Sequence, residues 1–559
     1  MFPIKQWHIL NESLREPIIE ILLKNRNLTE DHLNPFKLSD RLHNPDLLRD
    51  MPEAVSRIMK AIERKEHIGI FGDYDVDGVV STTLMVKLFQ KINLPVTYYL
   101  PNRIQEGYGL KAVHIEQAVR DKIDLLITVD NGISSVEEIA EAKRRGLEVI
   151  VTDHHIQKNE LPPAYAVINP NRLDSAYPFK GLCGAGVVYK LFQALLPHLF
   201  GEEEYKNFML TQLDLLALAT IADVVPLVDE NYALVKFGLK SLTQSKRPGL
   251  VELKRSAGVL GKEITTTTVG YYMAPRLNVA GRLEDADIAI RLLLCESMDE
   301  AVALASYLNK LNSKRQLLQE KYLAQAMKKI DKDRLTENNI IIVEDEAWES
   351  GLLGLISGRL KDKLSRPVLA LTLNSDGNYT GSVRSLSGIN ITEMLTNFDH
   401  LLLNFGGHQK AAGLTVEAAN YDDFKQKFTR FGNEKIDASM LREKLIIDTV
   451  ISSQQITKSL IQTISKIGPF GEANPEPVLA LDDVSLQNIF TLSRGKHVKF
   501  TVRKNGQTFE CVWWNQGRIK QMLQNAGALD IAFRPEINIW QGRENLQLCI
   551  EDIREHKNM

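Results

Sequence analysis

Three carboxylates alternate through one short turn in FGDYDVDGVVS: Asp73, Asp75 and Asp77. Groups this close repel one another unless they share protons or a cation. Hard divalent ions such as Mg2+ or Mn2+ suit oxygen-rich sites of this kind. A calcium loop of EF-hand type is disfavoured, because no Glu closes a twelve-residue loop; an acidic surface turn is the plain alternative. Further along, IDLLITVDNG places Asp130 directly after an apolar run, and LEVIVTDHH places Asp153, His154 and His155 after another. LDLLALATIADVVPL carries Asp223 at the end of an apolar helical stretch, where a buried carboxylate is costly unless paired or metal-bound. Any one Asp could be only a helix N-cap. Together they favour a dinuclear metal centre.

The elements that must position these groups are short apolar runs, at 68–71, 96–100, 125–129 and 149–151, separated by stretches of helical spacing. Such alternation implies an α/β fold with a mostly parallel sheet flanked by helices. Ligands of such sheets lie beyond the carboxyl ends of the strands, and three of those ends carry Asp or His here.

At 559 residues the chain is too long for one core, and typical domain sizes predict about three or four domains. Composition is that of an ordinary soluble globular protein. The formal net charge of -3 requires any nucleic-acid surface to be a local patch. Four scattered cysteines, Cys183, Cys295, Cys511 and Cys549, lack metal-ligand spacing and read as reduced thiols. The N-terminus mixes Lys5, Glu12 and Arg15 without an apolar signal segment. The longest apolar stretch, 213–228, is broken by Asp214, Asp223 and Pro226 and is too short to span a bilayer. A cytoplasmic protein without a membrane partner is expected.

The set GDYDVDG, VDNG, TDHH and ATIADVVPL resembles the motifs of the DHH phosphoesterase family. PNRIQEGYGL (101–110), GAGVVYKL (184–191), PRLNVAGRL (275–283), GSVRS (381–385) and GGHQKAAGLTV (406–416) are similar to its bacterial single-strand-specific exonucleases, from about residue 50 onward. The resemblance implies two divalent ions, Mn2+ or Mg2+. Asp75 would hold one, Asp77 and Asp223 the other, with Asp130 bridging, His154 a ligand and Asp73 completing the first site. Asp153 would orient the imidazoles, and His155 would either face the scissile phosphate or only orient a neighbour. The same resemblance implies 5′ to 3′ hydrolysis of single-stranded DNA to mononucleotides in recombination and repair. A helicase and single-strand-binding protein would supply the free 5′ end; a monomer is expected.

Arg276, Asn278 and Arg282 lie in a turn-rich stretch, where guanidinium groups could grip phosphate oxygens in bidentate fashion. Between Arg282 and Ser350 there is no Gly or Pro, and helical spacing predicts one or two long helices. Lys310, Lys314 and Arg315 on them could border a DNA channel, with a solvated helix face as the default reading. A second α/β unit begins near Asn338, and a helical run over 391–405 then meets Gly406, Gly407 and His408. Glycines let a backbone approach phosphates closely, and Ser382, Arg384 and His408 offer donors to an anion. This unit resembles the DHHA1 domain, where Ser382 and Arg384, with Arg103, are candidates for the 5′-terminal phosphate; Glu349 stands where such proteins usually carry His. After Leu441, five short strands suit an OB-fold β-barrel. Arg494, Lys496, Lys499, Arg503 and Lys504, interleaved with Phe500 and near Trp513 and Trp514, fit a basic groove with stacking platforms. Neighbours on a strand face opposite ways, so one Trp should be core and the other exposed.

The expected organisation is an N-terminal segment (1–50), a catalytic domain (51–284), a helical linker (285–335), the DHHA1 domain (336–440) and the OB-fold (441–559). Pyrophosphate, a cyclic dinucleotide or a very short oligonucleotide is the alternative substrate, which the basic C-terminal region disfavours. A non-catalytic DNA-binding subunit is disfavoured by the intact acidic cluster.

Overall fold

The computed structural model describes residues 5–12, 16–101, 109–157, 160–540 and 543–556, and gathers their strands into three sheets. In chain order these are β1 (Gln6–Asn11), β2 (Ile68–Phe71), β3 (Val96–Tyr99), β4 (Leu125–Val129), β5 (Glu148–Thr152), β6 (Ala166–Ile168), β7 (Ile341–Glu344), β8 (Val368–Leu373), β9 (Tyr379–Arg384), β10 (Leu402–His408), β11 (Ala411–Val416), β12 (Lys444–Val450), β13 (Leu479–Leu492), β14 (His497–Lys504), β15 (Gln507–Trp513), β16 (Leu529–Trp540) and β17 (Arg543–Glu555). They belong to two compact units, Lys37–Phe431 and Met1–Phe36 with Gly432–Met559.

In the larger unit, the first sheet has the order β3-β2-β4-β5-β6 and is parallel throughout. Every residue of β2 and β4 is buried, as a parallel sheet covered on both faces requires. Phe71 pairs with Thr128, and Val129 with Thr152. The loops after β2, β4 and β5 therefore leave the sheet side by side, as the sequence pattern predicts. Helix Val76–Lys91 follows β2 and is buried on nearly all sides. Its Thr82 and Thr83 hydroxyls donate to the carbonyls of Gly78 and Val79 (2.8 and 2.7 Å), which lets polar residues sit there without water.

A helix over Asp287–Leu294 precedes one of 35 residues, Met298–Lys332, about 50 Å long at 1.5 Å per residue. Ala301, Ala305, Leu308 and Leu311 join the core around the parallel sheet, whereas Tyr322, Ala326 and Ile330 join that of the second sheet. One rigid element is thus shared by both cores. The second sheet has the order β10-β11-β9-β8-β7, with only β7 and β8 parallel. Here the expected helix over 391–405 is corrected: it ends at Thr396, and β10 begins at Leu402. A short apolar run such as LLLNF satisfies both periodicities, and pairing with β11 decides for strand.

In the smaller unit, β13-β14-β15-β17-β16 closes on itself because β13 also pairs with β16. These are the five strands expected of the OB-fold. Val498, Phe500, Val502, Cys511, Trp513, Ile531 and Phe533 fill the interior. β1 and β12 extend the sheet in parallel, so the N-terminal stretch supplies a strand to this unit. Arg26 anchors the same stretch: it donates to both carboxylate oxygens of Asp448 (2.6 and 3.0 Å) and to the Pro475 carbonyl. Among the described residues, no helix is long and apolar enough to cross a membrane.

Candidate metal centre

Asp75 caps the helix Val76–Lys91. Its Oδ1 accepts the N–H groups of Asp77 (3.0 Å) and Gly78 (3.1 Å), and the positive helix end favours the charge. Asp73 accepts the N–H of Tyr74 (2.7 Å). Asp77 accepts the N–H groups of Gly184 (2.5 Å) and Ala185 (2.9 Å), the first residues of helix Gly184–Leu195. After β4, Asp130 adopts φ 61°, a left-handed conformation that Asp tolerates better than most residues. Two glycines make the crowding possible. A Cβ on Gly78 would lie 2.6 Å from the backbone of Asp73, and one on Gly184 2.6 Å from Cβ of Asp130.

Asp153 is committed to orientation. Its Oδ1 accepts the N–H groups of His154 (2.7 Å) and His155 (3.1 Å) and lies 2.7 Å from His155 Nδ1; Oδ2 accepts from Ile133 (2.9 Å). Asn171 and Asn169 donate side-chain amides to the carbonyls of His154 (2.6 Å) and His155 (2.9 Å). Sequence reasoning missed these two asparagines; the NPN triplet directly after β6 was the available signal.

His154 is where the motifs meet. Its Nε2 lies 3.1 Å from Asp130 Oδ1, 3.6 Å from Asp223 Oδ2 and 3.8 Å from Asp77 Oδ2. Asp130 Oδ1 and Asp223 Oδ2 are buried, yet neither has a hydrogen-bond partner. Among the described residues, three groups bring ligand atoms within 4.8 Å of one another: Asp73, Asp75 and Asp130; Asp77, His154 and Asp223; Asp130, His154 and His155. Burial and then the charge of Asp77 push the carboxyl groups of Asp75, Asp130 and Asp223 upward, Asp130 and Asp223 well above the usual range. Burial pushes His154 down, which favours the neutral, ligand-competent imidazole. Burial opposes the charge of His155 and Asp153, but their contact outweighs it, raising His155 to about 9 and lowering Asp153 to about 2. The donor set, carboxylates with one neutral imidazole and orphaned buried oxygens, fits hard or borderline divalent ions.

The neighbouring predicted residues are arranged differently from expectation. Arg276, Asn278 and Arg282 lie in two short helices, Ala274–Asn278 and Ala280–Leu283, rather than in turns. Asn278 Oδ1 accepts the N–H of Val76 (3.1 Å), which ties this segment to the acidic turn. Arg276 donates to Asn309 Oδ1 (3.1 Å) and the Tyr272 carbonyl (2.6 Å), and Arg282 to the Gly351 carbonyl (3.3 Å). Tyr271 and Tyr272, on the π-helical turn Val269–Met273, are exposed aromatics that sequence reasoning overlooked. On β9, Arg384 donates to Ser382 Oγ (2.8 Å), and both pack against Gly354, where a Cβ would meet them at 2.7 and 3.2 Å. His408 is placed on β10, at the opposite edge from β7. Glu349 keeps one buried oxygen without a hydrogen-bond partner. Arg103 lies outside the described residues.

On the barrel, Phe500 is fully buried, because strand alternation turns Lys499, Thr501 and Arg503 outward and Phe500 inward; it is core and no stacking platform. Trp513 is 4% exposed and Trp514 51%, as the alternation predicts. Phe490, 44% exposed and opposite Lys499 on β13, is an aromatic that the sequence reading missed. Lys499 pairs with Glu510 (3.1 Å) and Lys504 with Asp482, while Arg494 sits at φ 56° in the β13–β14 turn beside Lys496.

Family models match three stretches: the DHH family N-terminal domain at residues 67–220, the DHHA1 domain at 337–434 and the RecJ OB domain at 447–552. The chain is 37% identical over 517 residues to the single-stranded-DNA-specific exonuclease RecJ of Bacillus subtilis (strain 168), a match that covers 91% of this chain but 64% of that protein. It is 34% identical to the exonuclease of the same name from Dickeya dadantii (strain 3937), with 91% of each covered. A crystal structure of RecJ in complex with Mn2+ from Thermus thermophilus superposes with a TM-score of 0.84 at 28% identity, covering 99% of this chain and 80% of that one. With both α/β domains and the barrel matched by family models, and relatives above 30% identity along most of the chain, the chain belongs to the RecJ family of DHH phosphoesterases, whose named members are single-strand-specific exonucleases.

Proposed function

We propose that the chain degrades single-stranded DNA from a free 5′ end, releasing mononucleotides, with two divalent ions, Mn2+ or Mg2+. Asp73, Asp75 and Asp130 would hold one; Asp77, Asp130, His154 and Asp223 would hold the other. The observation that carries this reading is His154 Nε2 lying within 3.8 Å of three carboxylates, two of which have buried oxygens without hydrogen bonds. Divalent ions bound there would activate water at neutral pH and neutralise charge on the leaving oxygen. Asp130, wedged against Gly184, sets the spacing of the ligands. Asp153 occupies Nδ1 of His155 and so presents Nε2 to the scissile phosphate. Arg276 and Arg282 steady the strand, Asn278 positions the acidic turn, and Ser382 and Arg384, with His408 and Arg103, take the terminal phosphate. The barrel, through Arg494, Lys496, Lys499, Arg503, Lys504 and Trp514, binds nucleotides by charge and stacking. The cellular work is DNA recombination and repair, on ends supplied by a helicase and single-strand-binding protein.

The test uses single-stranded DNA labelled at the 5′ or the 3′ end, with Mn2+ or Mg2+ and Asp130→Ala as control. Immediate release of a 5′-labelled mononucleotide, abolished by chelator and by the substitution, is expected. Intact DNA alongside cleaved dinucleotide or pyrophosphate would replace this reading with a small-substrate phosphoesterase.

A further inference from the structure

Residues 180–184 form a strap to which three groups of one ion are tied. At its end, the N–H groups of Gly184 and Ala185 hold Asp77 (2.5 and 2.9 Å). Before that, two consecutive carbonyls are taken by two asparagine side chains. The Asn171 amide donates to the carbonyl of Lys180 (3.0 Å) and also to that of His154 (2.6 Å). The Asn231 amide donates to the carbonyl of Gly181 (2.6 Å) and to that of Pro226 (3.0 Å), three residues past Asp223. Within the strap, Cys183 Sγ lies 3.5 Å from Thr220 Oγ1, on the helix Leu213–Ala222 that Asp223 caps. Asp77, His154 and Asp223, far apart in sequence, thus share one backbone reference. Asp73 and Asp75 are held instead by N–H groups of their own turn, at Tyr74, Asp77 and Gly78.

A carboxamide suits this task. Its two N–H donors let one side chain join two segments, and it carries no charge. A lysine or arginine in its place would pair with the carboxylates and compete with a cation for them. Val224 gives a second, independent sign. It stands between Asp223 and the held Pro226 carbonyl at φ 58°, with its side chain 65% exposed. A β-branched residue in that conformation is strained, and its exposure gains no burial in return. Such strain persists only where neighbouring contacts impose it, and the bond from the fully buried Asn231 to Pro226 is such a contact. We propose that Asn171 and Asn231 are positioning residues: through the strap they hold His154 and Asp223 at the spacing from Asp77 that a shared ion requires. This rests on the two-ion reading above.

The test titrates Mn2+ into the full chain by calorimetry, which counts the ions, and records the Mn2+ EPR spectrum, which shows whether two lie close enough to couple. The parent is compared with Asn171→Leu, Asn231→Ala and Tyr98→Phe, the last of which loses a hydrogen bond to Asp287 (2.6 Å) rather than to the strap. The parent should bind two Mn2+ and give a coupled spectrum. Each asparagine variant should keep one ion at parental affinity and bind the other about ten- to a hundredfold more weakly. The coupled signal and strand cleavage should both return at high Mn2+. Tyr98→Phe should lower the melting temperature and leave both affinities unchanged. Asparagine variants that bind both ions like the parent, or that weaken both equally, overturn the positioning role. So does a Tyr98→Phe protein that loses one ion as they do, since affinity would then follow stability alone. Asn171 is only half-buried, so its substitution decides the matter even where Asn231→Ala fails to fold. A parent that binds fewer than two Mn2+ overturns the two-ion reading itself, an outcome distinct from variants that match a two-ion parent.

Discussion

Gly184→Ala removes no charge, ligand or hydrogen bond, yet should disable the site. The new Cβ would lie 2.6 Å from Cβ, 2.8 Å from Oδ1 and 2.9 Å from Cα of Asp130. Ordinary carbon contact is about 3.5 Å or more, so Asp130 or the helix start must move by roughly 0.9 Å. Neither has a flexible end to swing aside: the atoms met are backbone and a short carboxylate, and the Gly184 N–H holds Asp77. One shift thus displaces two groups of the proposed centre. A displacement near 1 Å costs on the order of a hundredfold in rate, and overpacking of this kind about 1–3 kcal/mol in stability. The assay is turnover of 5′-labelled single strands across a Mn2+ titration, with thermal melting in chelator. Turnover about a hundredfold lower and a Mn2+ curve moved to higher concentration are expected. Gly201→Ala, with nothing within 4 Å of its Cβ, is the control. If Gly184→Ala matches this control in both turnover and Mn2+ dependence, close packing around Asp130 is irrelevant and the reasoning fails.

Asp130→Asn should abolish cleavage while raising the melting temperature of the chelated protein, because it removes a buried charge repelled by its neighbours; the stabilisation that Mn2+ gives the parent should vanish. Arg384→Ala should erase the preference for a 5′-phosphorylated over a 5′-hydroxyl strand, a difference of about tenfold or more in kcat/KM. Trp513→Ala should destabilise the barrel by about 3–5 kcal/mol in denaturant melts, whereas Trp514→Ala should spare stability and weaken single-strand binding by about 1–3 kcal/mol. Arg26→Ala strands Asp448 in a buried position and should cost the smaller unit about 3–5 kcal/mol; an unchanged melt would show that the N-terminal stretch is not part of that unit's core.

Much of the site was legible because its chemistry sits at strand ends. In a parallel sheet, an apolar run that stops at an Asp or His says both where the side chain emerges and which neighbours it will have. Asp73, Asp75, Asp77, Asp130 and His154 could be grouped on that rule alone, and Asp223 by the cost of burying it. The barrel strands were legible for a similar reason: alternation separates Trp513 from Trp514 without any knowledge of what surrounds them. The same rule, applied to Phe500, would have placed it inside.

Tertiary structure decided what periodicity leaves ambiguous. LLLNF reads equally as helix or strand until β11 pairs with it. β1 is recognisable only once β12 lies beside it, since a short polar strand carries little signal of its own. The fastening of Asp77 to the start of a helix more than 100 residues away is long-range. The amino-acid sequence by itself determined which groups could do chemistry and at which strand ends they emerge, because that depends on local pattern. The distances among those groups, the crowding of Gly184 against Asp130 and the loss of solvent around the carboxylates arise only when separate segments close on one another.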